Sequence, residues 1–332
     1  MKILVTGGAG FIGSHVVDAY VAAGHEVITV DNLVTGPPGD LNPRATFIKL
    51  DITSPDLADV FTEYKPKIVN HHAAQIDVRR SVTDPQMDAR VNIMGSLNLF
   101  GCAVRYGVKG IIFASSGGAI YGEQEYFPAG EEHPKRPVSP YGISKLAVEY
   151  YLHYYRVVHG LRSIILRYAN VYGPRQNADG EAGVVALFAS KMLRGKTPTI
   201  YGDGEQTRDF VFVGDAVRAS VLALDLLDRH EGDSALANNQ QVFNIGTGKE
   251  TSVNELMTVL RQRTGFLGGV EHAPPKSGEQ RRSVLDCAWA KRVLWWEPSV
   301  DFRQGIVETV EWFRSRYEME TATLNRELLS HF

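Results

Sequence analysis

The chain has 332 residues, 44% of them hydrophobic and 22% charged, a formal net charge of −3 and two widely separated cysteines. That length buries a large core and predicts one large or two interlocked domains, while the absence of a basic bias excludes nucleic acid as an expected partner. Cys102 and Cys287 make neither a disulfide framework nor a paired-cysteine zinc pattern. No apolar run approaches the ~20 residues that cross a bilayer, and residue 3 already begins a strand, so a cytoplasmic location with no membrane partner is expected.

In chain order, the first half alternates short apolar strands with helical stretches, the pattern of a parallel sheet covered on both faces. Strands are predicted over Lys2–Thr6, Glu26–Asp31, Thr46–Lys49, Lys67–His71, Gly110–Ser115 and Leu161–Tyr168. Helices are predicted near Gly13–Ala23, Pro55–Tyr64, Asp88–Tyr106 and Tyr141–His159, the last starting after Ser139-Pro140. Segments 32–45 and 122–138 carry Pro and Gly and read as surface loops. The second half is less regular. A helix at Val184–Arg194 precedes a turn-rich stretch, Gly195–Gln206. A strand at Arg208–Val213, a helix from Asp215 to about Asp228, a loop at 230–240, a strand at Val242–Ile245 and a helix over Phe302–Tyr317 follow. The expected fold is α/β, a Rossmann-type doubly wound parallel sheet with a smaller C-terminal α/β substrate domain. The expected division is 1–170 and 171–332, with parts of 208–246 returning to the first domain.

Gly8-x-Gly10-x-x-Gly13 follows a strand and opens a helix, the context in which a glycine turn cradles a dinucleotide. The glycines let the backbone approach a pyrophosphate, and the helix N-terminus supplies N–H donors and a favourable dipole. Asp31 ends the second strand, where a carboxylate binds the adenosine ribose and repels a 2′-phosphate, so NAD is expected over NADP. Asn32 supports that site, whereas Arg44 lies too far along the chain to read a phosphate. Asp51-Ile52 could hold the adenine edge; Asp51 reads equally as a turn cap.

Tyr141 and Lys145 are four apart, on one face of a helix. A nearby ammonium favours phenolate, so Tyr141 is expected to have a lowered pKa and to act as a general base. Ser115-Ser116 ends a strand above the crevice where ligands collect in open α/β sheets, and a hydroxyl there could bond the substrate oxygen and relay a proton to Tyr141. Tyr150, Tyr151, Tyr154 and Tyr155, at helical spacing, read as core and subunit contacts. His71 and His72 are adjacent strand residues pointing to opposite faces, so no metal is expected there.

Thr6-Gly-Gly-Ala-Gly-Phe-Ile-Gly13, Asn92-Ile-Met-Gly95, Ser115-Ser-Gly-Gly-Ala-Ile-Tyr-Gly122, Tyr141-Gly-Ile-Ser-Lys145 and Leu166-Arg-Tyr-Ala-Asn-Val-Tyr-Gly-Pro-Arg175 resemble the extended short-chain dehydrogenase/reductases. Gly180–Val185, Gly202–Phe210 and Phe243–Gly248 resemble the bacterial and archaeal UDP-glucose 4-epimerase branch of that family. The likeness spans residues 1 to about 315. It implies tightly held NAD on Gly7, Gly10, Phe11, Ile12, Gly13, Asp31, Asn32, Asp51, Ile52, Ala73, Ala74, Asn92, Ser115, Tyr141, Lys145 and Tyr168. It implies a UDP-sugar against Ser116, Asn170, Val184, Arg208, Lys276 and Glu279. Tyr141, Lys145 and Ser116 would be catalytic: Tyr141 takes the sugar 4-hydroxyl proton, hydride leaves C4 for the nicotinamide, and the 4-keto sugar turns over before the hydride returns. A homodimer joined by a four-helix bundle of Asp88–Tyr106 and Tyr141–His159 is also implied.

Three departures stand out. Ile76 occupies a place where some members carry lysine. Trp295 replaces a common glycine, which implies an altered C-terminal surface. Ser283 is small where bulky residues restrict the sugar pocket, leaving room for a 2-acetamido group. Gly117-Gly118 stands where 4,6-dehydratases carry an acidic pair. A UDP-glucuronate 4-epimerase or decarboxylase is an alternative on the same fold, and a non-catalytic NAD-binding sensor would be expected to lose Tyr141 or Lys145.

Overall fold

Isoleucine, valine and leucine fill the short strands of the first half, and Ile3, Leu4, Val5, Val69, Ile111 and Ile112 are fully buried. A strand apolar on both faces needs a cover on both, and the chain supplies it with helices. The structure is a computed structural model that describes residues 1–35, 41–178, 183–229, 241–275 and 280–329. Its first half runs β1 (Lys2–Thr6), α1 (Phe11–Ala22), β2 (Glu26–Asp31), β3 (Thr46–Lys49), α2 (Leu57–Tyr64), β4 (Ile68–His71), α3 (Val78–Thr83) and α4 (Pro85–Ala89). A π-helical turn at Arg90–Met94 leads into α5 (Gly95–Arg105), β5 (Gly110–Ser116), α6 (Gly117–Ile120), α7 (Pro140–His159) and β6 (Arg162–Tyr168). The second half adds β7 (Asn170–Tyr172), α8 (Val184–Leu193), β8 (Thr199–Tyr201), β9 (Thr207–Arg208), β10 (Phe210–Phe212) and α9 (Val213–Arg229). It ends with β11 (Val242–Ile245), β12 (Thr251–Ser252), α10 (Val253–Thr264), β13 (Glu271–Ala273), α11 (Ala288–Val293) and α12 (Phe302–Leu329).

Seven strands form one parallel sheet in the order β11-β6-β5-β4-β1-β2-β3. The order reverses between β1 and β4, and in open sheets of this kind the crevice for a ligand opens at the C-terminal ends of those strands. One face packs on α1 and α9 through Val16, Val17, Ala219 and Leu224. The opposite face packs on α2, α5 and α7 through Phe61, Leu99, Phe100, Val148 and Leu152. A separate core joins α8, α10 and α12 around Phe188, Leu256, Leu260 and Val310.

The structure departs from the expected elements in the second half. The single strand expected at Arg208–Val213 is two: β9 pairs antiparallel with β12, and β10 pairs parallel with β7. The break falls at Asp209, whose buried carboxylate accepts from Thr247 N (2.7 Å), Thr247 Oγ1 (2.6 Å) and Gly248 N (3.1 Å). The turn-rich stretch contains β8, held by β13. The structure adds a helix, α10, that the expected elements lack; Ser252 caps it, accepting from Glu255 N at 3.1 Å. The expected helix at Asp88–Tyr106 is α4, the π-helical turn and α5 in succession, starting where Asp84 caps Met87 N at 2.9 Å. The final helix runs on to Leu329 rather than ending near Tyr317. The loop expected at 230–240 lies outside the described residues. Trp295 has a φ of 56° and is 85% exposed. A backbone in that region favours glycine, the residue that the resemblance leads one to expect at this position.

Candidate active site

The glycine turn is built for close approach. Gly7 has a φ of 70°, and a Cβ there would lie 2.5 Å from Ala73 N. A Cβ on Gly13 would lie 2.1 Å from Gly7 O, so α1 can start against the turn only with glycine at that position. Gly10 caps α1 with no side-chain hydrogen bond, leaving the first-turn N–H groups around Phe11 and Ile12 without a side-chain acceptor. Asp31 closes the turn: Oδ2 accepts from Ala9 N at 3.0 Å and Oδ1 from Leu33 N at 2.8 Å. Asn32 donates to Asp51 Oδ2 at 2.7 Å. Asp51 also takes Thr53 N and Oγ1 at 2.8 and 2.7 Å. Burial pushes its carboxyl up, but these bonds outweigh it and leave it below the usual range. The turn-cap geometry weighed for Asp51 is thus present. Ile52 is buried against Gly95, with its carbonyl accepting from Asn98 at 2.8 Å.

Asn92 turns its amide onto the loop after β4. Its Oδ1 accepts from Gln75 N at 2.8 Å, and its Nδ2 donates to Gln75 O at 3.0 Å and Asp88 Oδ1 at 2.9 Å. It therefore shapes the Ala73–Gln75 segment. Ala73 N itself lies 3.4 Å from Thr6 Oγ1, beside Gly7. His71 is spent in the interior, bonded to Thr6 Oγ1 at 2.7 Å and Ser96 Oγ at 3.0 Å. Burial holds both histidines neutral, His71 well below its ordinary pKa and His72 at about 3, with the Lys145 charge adding to the effect.

Helix α7 delivers Tyr141 and Lys145. Pro140 occupies its first turn and Ser139 Oγ accepts from Gly142 N at 3.1 Å, so the helix begins where the sequence places its start. The Tyr141 hydroxyl is hydrogen-bonded to the Ser116 side chain. Lys145, only 5% exposed, donates to Ala114 O at 2.8 Å. Its Nζ stands 4.8 Å from the Phe113 ring centre and 5.8 Å from that of Tyr141. Burial brings Lys145 down to about 8 against the opposing charges of Asp88 and Glu149. The expected lowering of Tyr141 is overturned here. Burial pushes the phenol up to about 12, with the Ser116 hydrogen bond working against the rise and the Asp88 charge adding to it.

Two of the named residues turn their side chains elsewhere. Ser115 donates to Glu149 Oε1 at 2.5 Å, so its hydroxyl does not face Tyr141 and only Ser116 does. Tyr168 is buried under α9, its hydroxyl 3.0 Å from Ser220 Oγ, so no phenol reaches the crevice from that position. Both follow from strand alternation at the sheet edge.

On the other side of the crevice, Gly118 lies between Ser116 and Asn170: a Cβ there would be 4.0 Å from Ser116 Oγ and 3.7 Å from Asn170 Oδ1. A Cβ on Gly117 would meet the Leu285 side-chain tip at 2.6 Å, so a side chain there would have to displace Leu285. Arg208 Nη1 donates to Thr207 O at 2.8 Å and Gln280 O at 2.9 Å. Beside it opens a cavity of about 490 Å³, lined by Tyr201, Asp203, Gln206, Pro275, Gln280 and Arg281. Sequence reasoning missed this cavity, since β8 and β13 form its wall only by pairing across 70 residues of chain. Val184 is the first residue of α8 and is half-buried. Lys276 and Glu279 lie outside the described residues. Also unforeseen were Asp88, Glu149 and Arg167, interior charges around Lys145. For Glu149 a signal existed: it is one further helical step of four from Lys145.

Residues 3–246 match the model of the NAD dependent epimerase/dehydratase family. The UDP-glucose 4-epimerase of Mycolicibacterium smegmatis is 44% identical over 321 residues, 95% of this chain and 99% of that protein. The crystal structure of Thermotoga maritima UDP-glucose 4-epimerase with UDP-glucose superposes with a TM-score of 0.90 at 48% identity, covering 96% of this chain and 100% of the other. The Thermus thermophilus UDP-glucose 4-epimerase complex with NAD gives a TM-score of 0.86 at 43% identity, covering 95% and 99%.

Proposed function

The chain belongs to the NAD dependent epimerase/dehydratase family, and from that premise we propose that it inverts C4 of a UDP-hexose, interconverting UDP-glucose and UDP-galactose through a 4-keto sugar. The observation that carries this reading is the Tyr141 phenol hydrogen-bonded to Ser116, one helical turn from the buried Lys145, in a chain so similar to UDP-glucose 4-epimerases.

The residues fit a dinucleotide. Gly7 and Gly13 let the turn close so tightly that any Cβ there would strike backbone, α1 presents its N-terminus beside that turn, and Asp31 lies against it. In the proposed complex Gly10, Phe11 and Ile12 hold the pyrophosphate, Asp31 and Asn32 the adenosine ribose, Asp51 and Ile52 the adenine edge. Ala73, Ala74, Asn92, Ser115 and Tyr168 contribute through main chain or by shaping the walls, and Lys145 holds the nicotinamide ribose. NAD, when bound, accepts and returns the C4 hydride, and its oxidised ring adds a positive charge that draws the Tyr141 pKa down. Ser116 holds the sugar 4-oxygen and passes its proton to Tyr141, and Lys145 stabilises the phenolate. Asn170 and Arg208 grip the diphosphate, where a fork of donors suits the charge. Val184, Glu279 and the cavity at Tyr201 take the uridine, and Lys276 adds a positive charge for the diphosphate.

The remaining parts of the proposal are coarser. We assign 1–170, with parts of 208–246, to NAD binding, and 171–332 to the nucleotide sugar. The small side chain of Ser283, buried in the 280–287 strap, supports acceptance of UDP-GlcNAc and UDP-GalNAc. The exposed apolar stripe of α7 supports a homodimer, and a role in galactose metabolism in the cytoplasm follows from the reaction. Elimination of water finds no support at Gly117-Gly118, which offers no acid group. The test is NMR of purified protein with UDP-galactose and no added NAD. UDP-glucose is the expected product; no product, even with NAD supplied, would move the reading to a carboxylated nucleotide sugar.

A further inference from the structure

Asp88 is fully buried beside the catalytic helix, and the reaction as proposed gives it no task. Its Oδ2 accepts from Ser144 Oγ at 2.7 Å, on the residue next to Lys145. Its Oδ1 accepts from Asn92 Nδ2 at 2.9 Å and Gln75 Nε2 at 3.0 Å. All three donors are neutral, and no lysine or arginine among the described residues lies within ion-pair distance of it. Burying a carboxylate costs several kcal/mol unless a positive charge compensates, and an asparagine could fill the same space and make similar hydrogen bonds.

The cation it acts on is Lys145. The charged and titratable groups that act on that ammonium are Asp88 from α4, Glu149 from α7, and His71 and His72 at the end of β4, with the Tyr141 ring centre 5.8 Å from it. Both histidines are neutral. Glu149 is already matched by Arg167, whose Nη2 donates to it at 2.6 Å and Nε at 3.0 Å, both side chains being buried. Asp88 is thus the carboxylate there whose charge no guanidinium cancels. We propose that Asp88 is a positioning residue for the reaction, the buried counter-charge that keeps Lys145 an ammonium and, through Ser144, seats the first turns of α7 against α4.

This rests on the reading of Tyr141 and Lys145 as the working pair, and its test separates the two. Asp88→Asn removes the charge and keeps the shape; Asp88→Ser, which leaves room for a water, serves if the first variant does not fold. The measurement is kcat/KM for UDP-galactose across pH 5 to 10, beside the unaltered protein, Ser144→Ala and Tyr141→Phe. Without the negative neighbour, Lys145 loses its proton at lower pH and the Tyr141 phenol ionises at lower pH. Both limbs of the profile therefore move the same way, to lower pH, by about one unit. Ser144→Ala, which keeps the charge, lowers the profile without moving its limbs. A reduced or unchanged profile with both limbs in place in the Asp88 variants would overturn the proposal, whereas full activity in Tyr141→Phe would overturn the reading beneath it.

Discussion

Tyr141 and Lys145 stand in an unusual relation: the phenol is pushed up to about 12 and the ammonium pulled down to about 8. Without further charge, rising pH would therefore discharge Lys145 before Tyr141 ionised. Before cofactor binds, the pair rests as the neutral phenol beside the ammonium, and that state persists only while Lys145 holds its proton; the base proposed above is the phenolate, which would form once the oxidised nicotinamide lowers the phenol's pKa. The sign follows directly: for a lysine whose pKa is lowered by burial, the charged form is lost as pH rises through about 8. Removing the hydroxyl alone isolates its contribution. Tyr141→Phe is expected to lower kcat for UDP-galactose by a factor of ~10²–10⁴, the usual range for one general acid–base group, while NAD content and thermal unfolding stay as they were. The Tyr-x-x-x-Lys spacing was legible in the sequence, because helical geometry alone brings the two residues to one face. The balance of their acidities was not, because burial, the largest influence on each, comes from residues tens to hundreds of positions away.

The elements around the site divide in the same way. The glycine turn and the start of α1 were readable, since a strand, three glycines and a helix in immediate succession form a local unit. Gly13→Ala tests how tightly that unit is built. With its Cβ 2.1 Å from Gly7 O, the turn must open, so the purified variant is expected to carry much less NAD than the unaltered protein. Nucleotide released on denaturation and quantified by chromatography would measure it. Helix α10 shows a local signal that went unused: Ser252-Val-Asn-Glu255 is a capping sequence, and Val253, Leu256, Met257 and Leu260 recur at helical spacing. The break between β9 and β10 had no such signal. Arg208–Val213 reads as one strand until Asp209 is drawn aside by Thr247 and Gly248, some forty residues later.

Across the whole molecule, α7 does two jobs on two faces. Inward, Lys145, Glu149 and Leu152 meet the sheet. Outward, Ile143, Tyr150, Tyr154, Val157 and Val158 form a stripe in which Val157 is 69% exposed and Tyr150 66%. Met94, the last residue of the π-helical turn before α5, is exposed as well. An apolar stripe of this length on a single helix is unusual at a surface that meets only water. Val157→Glu is expected to turn the proposed dimer into a monomer in sedimentation equilibrium, with secondary structure retained by circular dichroism. A dimer that survived the substitution would count against α7 as the subunit contact.

The sequence by itself determined the parallel α/β architecture, the dinucleotide turn and the Tyr141–Lys145 pair. Each depends on residues a few positions apart, whose spacing the strand and helix repeats translate directly into geometry. Tertiary structure decided the rest. It turned the Ser115 hydroxyl to Glu149 and left Ser116 on Tyr141, buried Tyr168 under α9, and built a cavity from β8 and β13. It also brought Asp88 to the back of the catalytic helix beside Lys145. Charges act through space over several ångströms with little regard for chain separation, so the fields that set a buried site emerge only when the chain has closed around it.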